Sequence, residues 1–266
     1  MNEVVLVTGA SAGIGLACAD RMHAQGWNVF GASRRGFSPG GWTPLAMDVD
    51  SDDSVASNFS SLLARHRRID AVVACAGWGL AGAAEQTPIA AAHDQLETNF
   101  WGAVRVVQHA LPVMRRQHRG RIVLISSIGG IVALPFQAFY SASKFALEDY
   151  GEALAHEVAP FNIRVTLVEP GNVRTEFTER RRDVEPPAGD RAYSVAVAKA
   201  IGTMAADEAA GVAPDRVAVV VQRAVEARNP PRRVSVGRVD ERMGIMAKRV
   251  MPYRLFERAA RRSLGV

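Results

Sequence analysis

A chain of 266 residues, 48% hydrophobic and 22% charged, has the make-up of one large globular domain, long enough to bury a core without disulfides or metals. Its two cysteines, Cys18 and Cys75, stand in no CxxC or metal-ligand spacing, which argues against a disulfide framework and a cysteine zinc site and predicts free thiols in a reducing compartment. The net charge of +5 gathers in the last third, at Arg232, Arg233, Arg238, Arg242, Arg249, Arg254, Arg258, Arg261 and Arg262; no nucleic-acid-binding signature accompanies it, so it reads as a solvated basic surface.

The first residues lack a basic segment ahead of a long apolar run, and no stretch has membrane length, which predicts a cytoplasmic protein. Residues 3–7, EVVLV, predict a buried strand. A glycine-rich turn follows, with Gly9, Ser11, Gly13, Ile14 and Gly15, and a helical pattern then runs through Ala24. Strand, glycine turn and helix form the opening of a dinucleotide-binding fold. Gly9 lets the chain turn tightly, Gly13 leaves room for a pyrophosphate against the backbone, and Gly15 lets helix and strand pack closely. The helix N-terminus offers free N–H groups and a favourable dipole to phosphate.

Residues 27–33 predict the second strand, with Ser33 where an acid would hold a ribose 2′-hydroxyl and select NAD. Arg34 and Arg35 follow, and a guanidinium pairs with a 2′-phosphate through a planar fork of donors, so the cofactor expected is NADP(H). A loop at 37–41 leads to a short strand at 43–47 that ends at Asp48 and Val49. A helix starts at Ser51, with acids in its first turn, and reaches about residue 67. A fourth strand at 69–75 is followed by Ala76, Gly77, Trp78 and Gly79. A long helical pattern from about 89 to 118 carries Asn99. An asparagine inside a helix is mildly unfavourable; it is read either as a tolerated surface residue or as one whose amide has a local role.

After a strand at 121–125 comes the stretch 126–144, SSIGGIVALPFQAFYSASK, which enters a helix spanning about 139–158. Tyr140 and Lys144 are four residues apart, which places them on one helix face, one turn from each other. A phenol titrates near ~10, and an ammonium beside it favours the phenolate. The pair therefore has the make-up of a proton donor or acceptor with its own tuning group. Residues 162–168 predict a sixth strand, and 169–175, EPGNVRT, a turn. Strands alternating with helices predict an α/β fold, a doubly wound, Rossmann-like parallel sheet covered on both faces. Residues 176–192 are charged, hold Pro186 and Pro187, and read as a mobile or excursion segment. Helices are expected at 193–209 and 214–228, a last strand at 233–236 and short basic helices at 240–264. No linker marks a second domain, so the expectation is one domain over 1–266, with 176–213 as a substrate-loop excursion and 238–266 as a basic helical tail.

Taken together and in this order, the motifs resemble the short-chain dehydrogenase/reductase family, single-domain kind, over residues 4–177. They are Thr8-Gly9-xxx-Gly13-x-Gly15, Asp48, Ala76-Gly77, Asn99, Ser127, Tyr140-xxx-Lys144 and Pro170-Gly171-x-Val173-x-Thr175. The Gly77-Trp78-Gly79 loop, Leu134-Pro135-Phe136 and the tail after 210 look similar to the branch containing 17β-hydroxysteroid and retinol dehydrogenases. The resemblance implies reversible hydride transfer between a nicotinamide and a secondary alcohol or ketone. It makes Tyr140 the general acid/base and Lys144 the group that lowers its pKa and holds the nicotinamide ribose. Ser127, thirteen residues before the tyrosine as in the family, would hold the substrate oxygen in preference to Ser126. Asn99 would anchor a water relaying protons to Lys144. Asp48 and Val49 would contact adenine. Ala76, Gly77, Pro170 and Gly171 would border the cofactor, and Val173 and Thr175 would hold its carboxamide.

The expected substrate wall is Trp78, Leu80, Ile128, Pro135, Phe136, Asn172 and the 176–200 segment, mostly apolar, which suits a hydrophobic ketone or alcohol. The helices at 89–118 and 139–158 resemble the family's dimerising pair, which implies a homodimer or homotetramer. Two departures stand out. Ala74-Cys75 replaces the asparagines common after the fourth strand, and Ala12 stands where NADP-preferring members often carry a basic residue, so NADP(H) rests on Arg34 with Arg35. The alternative reading is a nucleotide-sensing or basic surface-associated binding protein with a vestigial site, since a fold alone does not separate the two. An intact Ser127, Tyr140 and Lys144 favours the enzyme; the arginine-rich tail is the feature on the other side.

Overall fold

In the computed structural model, which describes residues 2–263, Val4–Thr8 (β1) is buried at every position. An unbroken apolar strand with no alternation must be covered on both faces. Val5 and Val7 join a cluster with Ala17, Cys18, Val217 and Val221, from the helices Gly13–Ala24 (α1) and Pro214–Glu226 (α8). Val4 and Leu6 join the opposite cluster with Phe59, Val107 and Leu147. Those residues belong to Asp52–His66 (α2), Gly102–Gln117 (α4) and Ala138–Glu157 (α5). The two-residue period of the strand thus sorts its side chains into two layers of helix.

The other strands are Asn28–Ser33 (β2), Thr43–Ala46 (β3), Ala71–Ala74 (β4), Gly120–Ile125 (β6), Ile163–Pro170 (β7) and Arg233–Val236 (β9). They form one seven-stranded sheet in the order β3-β2-β1-β4-β6-β7-β9, every pairing parallel. The chain winds outward from β1 in both directions. Where the order reverses, the loops after β1 and β4 diverge and leave a crevice at the carboxyl ends of the strands.

Two expectations change. The pattern from 89 to 118 is not one helix but Ile89–Leu96 (α3), a π-helical turn at Glu97–Trp101, and α4. The wider turn carries Asn99, which is buried. The segment after 176 is held down. Phe177–Arg180 forms a short helix (α6), and Arg182–Asp183 (β8) pairs in parallel with Leu80–Ala81 (β5). Arg182 N–H donates to the Gly79 carbonyl at 2.9 Å and Val184 N–H to that of Ala81 at 2.7 Å. The buried Arg181 guanidinium pairs with Glu208, at 3.1 Å, on Ser194–Ala209 (α7). A two-residue strand is too short to carry a periodic signal, so a charged segment reads as loose until its partner is seen. The chain closes with Val239–Val250 (α9) and Tyr253–Ser263 (α10). No helix among the described residues is long and apolar enough to cross a membrane.

Candidate active site

A cleft of about 890 Å³ lies over the carboxyl ends of the strands, and one end of it is the glycine turn. Gly9 has φ of +68°, and a Cβ there would lie 3.0 Å from the Ala76 backbone; a Cβ on Gly15 would lie 2.3 Å from the Gly9 carbonyl oxygen. Neither position tolerates a side chain, so the turn stays tight and the α1 N-terminus sits directly on the cleft. Thr8 Oγ1 accepts the N–H groups of Cys75 (3.0 Å) and Ala76 (3.1 Å), which ties the end of β1 to the end of β4. Ser11, Gly13, Ile14, Ala76 and Gly77 all border the space.

At the end of β2, Ser33 and Arg34 line the cleft and Arg35 does not. The chain reverses there, with Gly36 N–H donating to the Ser33 carbonyl at 3.1 Å, and the turn carries Arg35 outward to an exposed position. Ser33 Oγ is buried and has no partner among the described residues. Asp48 and Val49 line the same end. So does Asp50, which sequence reasoning missed. One oxygen of Asp50 accepts Thr98 Oγ1–H at 2.8 Å and the other is buried without a partner. Burial first, and nearby Asp48 and Glu97 with it, push this carboxyl above the usual range.

Asn99 stands behind the wall, not on it. Its Oδ1 accepts Trp78 N–H at 3.0 Å, and its Nδ2 donates to the Trp78 carbonyl (3.0 Å) and to Ser143 Oγ (3.2 Å). Gln95, also missed, works beside it: Oε1 accepts Leu80 N–H at 2.7 Å and Nε2 donates to the Trp78 carbonyl at 2.8 Å. Two amides from α3 and the π turn therefore supply main-chain partners to Trp78 and Leu80 after β4, beside those that Arg182 and Val184 give Gly79 and Ala81. Gln95 and Asn99 are four apart, a spacing that places their amides near each other on one side of the helix.

Ser127, Tyr140 and Lys144 meet on the cleft floor. Ser127 follows β6, and its Oγ accepts Gly129 N–H at 3.0 Å. Lys144 Nζ donates to the Ile125 carbonyl at 2.9 Å and lies 6.0 Å from the centre of the Tyr140 ring. The Tyr140 pKa is pushed up to about 12, chiefly by burial, with Glu208 adding to the rise and a hydrogen bond with Ser127 opposing it. Burial also pulls Lys144 down to about 8. Burial thus sets the direction of the phenol's shift, against the hydrogen bond with Ser127. The same burial that brings the groups together removes the water that would stabilise either charge. Ser126 Oγ is buried without a partner, whereas Ser127 is the serine that meets Tyr140.

The turn after β7 brings Pro170, Gly171, Asn172, Val173 and Thr175 to the cleft. On the substrate side Trp78, Ile128 and Pro135 line it, but Phe136 and Leu80 do not. Phe136 adopts φ of +62°, and this left-handed residue turns its ring under the wall, against Ala200, Ile201 and Met204. Leu80 is buried in β5. The wall is more charged than expected, because Glu176, Arg180, Arg182, Asp207 and Glu208 reach it beside Val132, Leu134 and Phe177. The Arg182 guanidinium lies 4.3 Å over the Trp78 ring.

Known proteins share this fold. Residues 3–186 match the family model described as short chain dehydrogenase. A 3-ketodihydrosphingosine reductase of Bacteroides thetaiotaomicron is 36% identical over 260 residues, 97% of each chain. Retinol dehydrogenase 8 of Homo sapiens is 40% identical over 66% of this chain and 60% of its own length. Estradiol 17-beta-dehydrogenase 1 of Rattus norvegicus is 37% identical over 67% and 56%. Among solved structures, a short-chain dehydrogenase from Streptomyces avermitilis superposes with a TM-score of 0.84 at 31% identity over 98% of both chains. A metagenomic short-chain oxidoreductase in complex with NADP gives 0.70 at 26%, over 88% of this chain and 96% of that one.

Proposed function

The chain belongs to the short-chain dehydrogenase/reductase family, and on that premise we propose that it is an NADP(H)-dependent oxidoreductase interconverting a ketone and a secondary alcohol on an apolar substrate. One observation carries the reading: a single cleft has a glycine turn and a helix N-terminus at one end and Ser127, Tyr140 and Lys144 on its floor.

The residues fit a dinucleotide. The glycine-rich turn at 9–15 and the α1 N-terminus would hold the pyrophosphate. Asp48 and Val49 would flank adenine, and Pro170, Gly171, Val173 and Thr175 the nicotinamide end. Arg34, next to the unpartnered Ser33 hydroxyl, would take a 2′-phosphate. That fork, and the NADP bound by a relative at 26% identity, support NADP(H) over NAD(H). When bound, the cofactor supplies or accepts the hydride.

The protein supplies the proton and the orientation. With its pKa raised to about 12, Tyr140 stays protonated at neutral pH, the form that donates to a carbonyl oxygen in reduction. Ser127 donates to the same oxygen and stabilises charge developing there. One Lys144 donor is committed to Ile125, and the remaining two are left to hold ribose hydroxyls and to support Tyr140. Both Nδ2 donors of Asn99 are committed, to Trp78 and Ser143, so a water relay toward Lys144 would use the second lone pair of its Oδ1 or its backbone carbonyl.

Reduction of a long-chain ketone is supported by the 3-ketodihydrosphingosine reductase that matches this chain end to end. The apolar wall of Ile128, Val132, Leu134 and Phe177 suits an alkyl chain, and the charged group at Asp207 and Arg182 suits a polar head. The test is a panel of 3-ketodihydrosphingosine, a steroid ketone and retinal, assayed with NADPH and NADH. NADPH oxidation with the long-chain ketone is expected, and Tyr140→Phe should bind NADPH yet lose at least about a hundredfold in kcat. Unchanged turnover in that variant, or none on any substrate, overturns the reading.

A further inference from the structure

We propose that α9 and α10 form a docking surface for an anionic lipid bilayer and seat the mouth of the cleft at its interface. Charge is the first observation. Residues 1–237 contain 24 basic and 24 acidic side chains, so the whole excess of +5 lies from Arg238 onward, at the start of α9 and in the last two helices, with eight Arg or Lys against three Asp or Glu. Arg242, Arg249, Arg254, Arg258 and Arg262 make no ion pair among the described residues. Lys248 is used inside the protein, on the Ile131 carbonyl and over the Phe145 ring.

The second observation is an apolar stripe facing water. Val239, Met243, Met246 and Val250 are 72%, 65%, 56% and 77% exposed. Their spacing of four, three and four residues puts them within about 60° of one another on a helix. Ile245, about 130° round the same helix, is 5% exposed and marks the side that packs on the protein. Arg242 and Arg249 flank the stripe and are exposed. On α10, Tyr253, Leu255, Phe256, Ala259 and Ala260 occupy one half of the helix and Arg254, Glu257, Arg258, Arg261 and Arg262 the other. Tyr253 and Leu255 are exposed, and Ala260 lines the cleft, which puts this helix at its mouth.

A bilayer with anionic headgroups meets both features, taking the Val and Met side chains below the headgroups and the arginines among them. A second copy of the chain would set this basic surface against itself. A nucleic acid backbone would leave the apolar stripe without a partner. The docking does not depend on the enzyme's chemistry; the benefit of seating the mouth there rests on the apolar-substrate reading, since such a substrate partitions into the bilayer.

The full chain is co-sedimented with vesicles of phosphatidylcholine alone and with 30% phosphatidylglycerol, at low and high salt. Binding to the anionic vesicles, weakened by salt, is expected. Met243→Glu with Val250→Glu should abolish it, and Arg258→Gln with Arg262→Gln should reduce it at least about tenfold. Both pairs should keep NADPH affinity, which reports that they fold. No anionic-vesicle binding by the wild type overturns the proposal, as does binding that survives Met243→Glu with Val250→Glu. A wild-type dimer that this pair splits, with no vesicle binding, overturns it in favour of a second copy. Retention on RNA without vesicle binding overturns it in favour of nucleic acid. Vesicle binding without ketone turnover leaves the docking standing and removes the enzymatic reading; turnover without binding does the reverse.

Discussion

Glu241 on α9 holds Asn172 on the turn after β7 by two hydrogen bonds to one carboxylate oxygen, from the backbone N–H at 3.0 Å and from Nδ2 at 2.7 Å. The other oxygen accepts Arg238 N–H at 2.7 Å. A Cβ on Gly171 or Gly237 would lie 2.2 or 2.3 Å from that oxygen, so both glycines make room for the carboxylate. The tail thus braces a wall of the cleft that is some seventy residues away in sequence. Hydrogen bonds to a charged group contribute about 1.5–3 kcal/mol each. Glu241→Ala is expected to cost about 2–4 kcal/mol in urea unfolding and to weaken NADPH binding. Glu241→Gln keeps one acceptor oxygen and should lose less. Equal stability and affinity in all three proteins would show the brace to be idle.

Arg34 and Arg35 separate in space although they adjoin in sequence. Arg34→Ala should weaken NADPH by at least about tenfold, the loss of one charge-assisted fork, and leave NADH nearly unchanged. Arg35→Ala, at an exposed position off the cleft, should change neither. Fluorescence titration of the four combinations decides it, and equal effects of the two substitutions would contradict the placement.

Lys144 has a folded-state pKa of about 8 against an ordinary 10.5. The fold therefore disfavours its ammonium. That cost is fully present below about pH 8 and is relieved as the pH rises through 10.5, above which the residue is neutral in both folded and unfolded chains. The gap corresponds to about 3 kcal/mol. Lys144→Met carries no such cost. Its stability relative to wild type should fall by about 2–3 kcal/mol between pH 7 and pH 10 in paired denaturant titrations. A constant difference would mean that Lys144 is not desolvated.

Asn99 both donates and accepts, and only an amide does both here. Asn99→Asp would set a carboxylate against the Trp78 carbonyl. It should destabilise the protein by about 2–4 kcal/mol at pH 7, more than Asn99→Ser, as read by thermal unfolding. An aspartate variant as stable as wild type would show the loop after β4 to be held by other means.

Much of the candidate site was legible because its signals are local. The glycine turn, the Tyr140–Lys144 spacing and the serine before them each lie within one turn or one helix face, and the structure brings them to one cleft. Asp50 and Gln95 were passed over for the opposite reason. Each looks like an ordinary surface residue in sequence, and only the packing of Thr98 and of the 78–80 backbone against them gives them a role. The segment after 176 read as loose because its anchors, β5 and Glu208, come from distant parts of the chain.

By itself the sequence determined the seven strands of the main sheet and their covering on both faces, and the presence of a glycine turn of nucleotide-binding type together with a tyrosine one helical turn from a lysine. These follow from side-chain period and from glycine's lack of Cβ, properties of a few neighbouring residues. The tertiary structure alone decided that Phe136 turns away on a left-handed backbone, that Arg35 leaves the cleft, and that the Asn99 amide clamps Trp78. It also decided the sign of the Tyr140 shift. Burial beneath the wall of the cleft costs the phenolate more than the hydrogen bond with Ser127 returns, and burial is set by everything that packs around a residue.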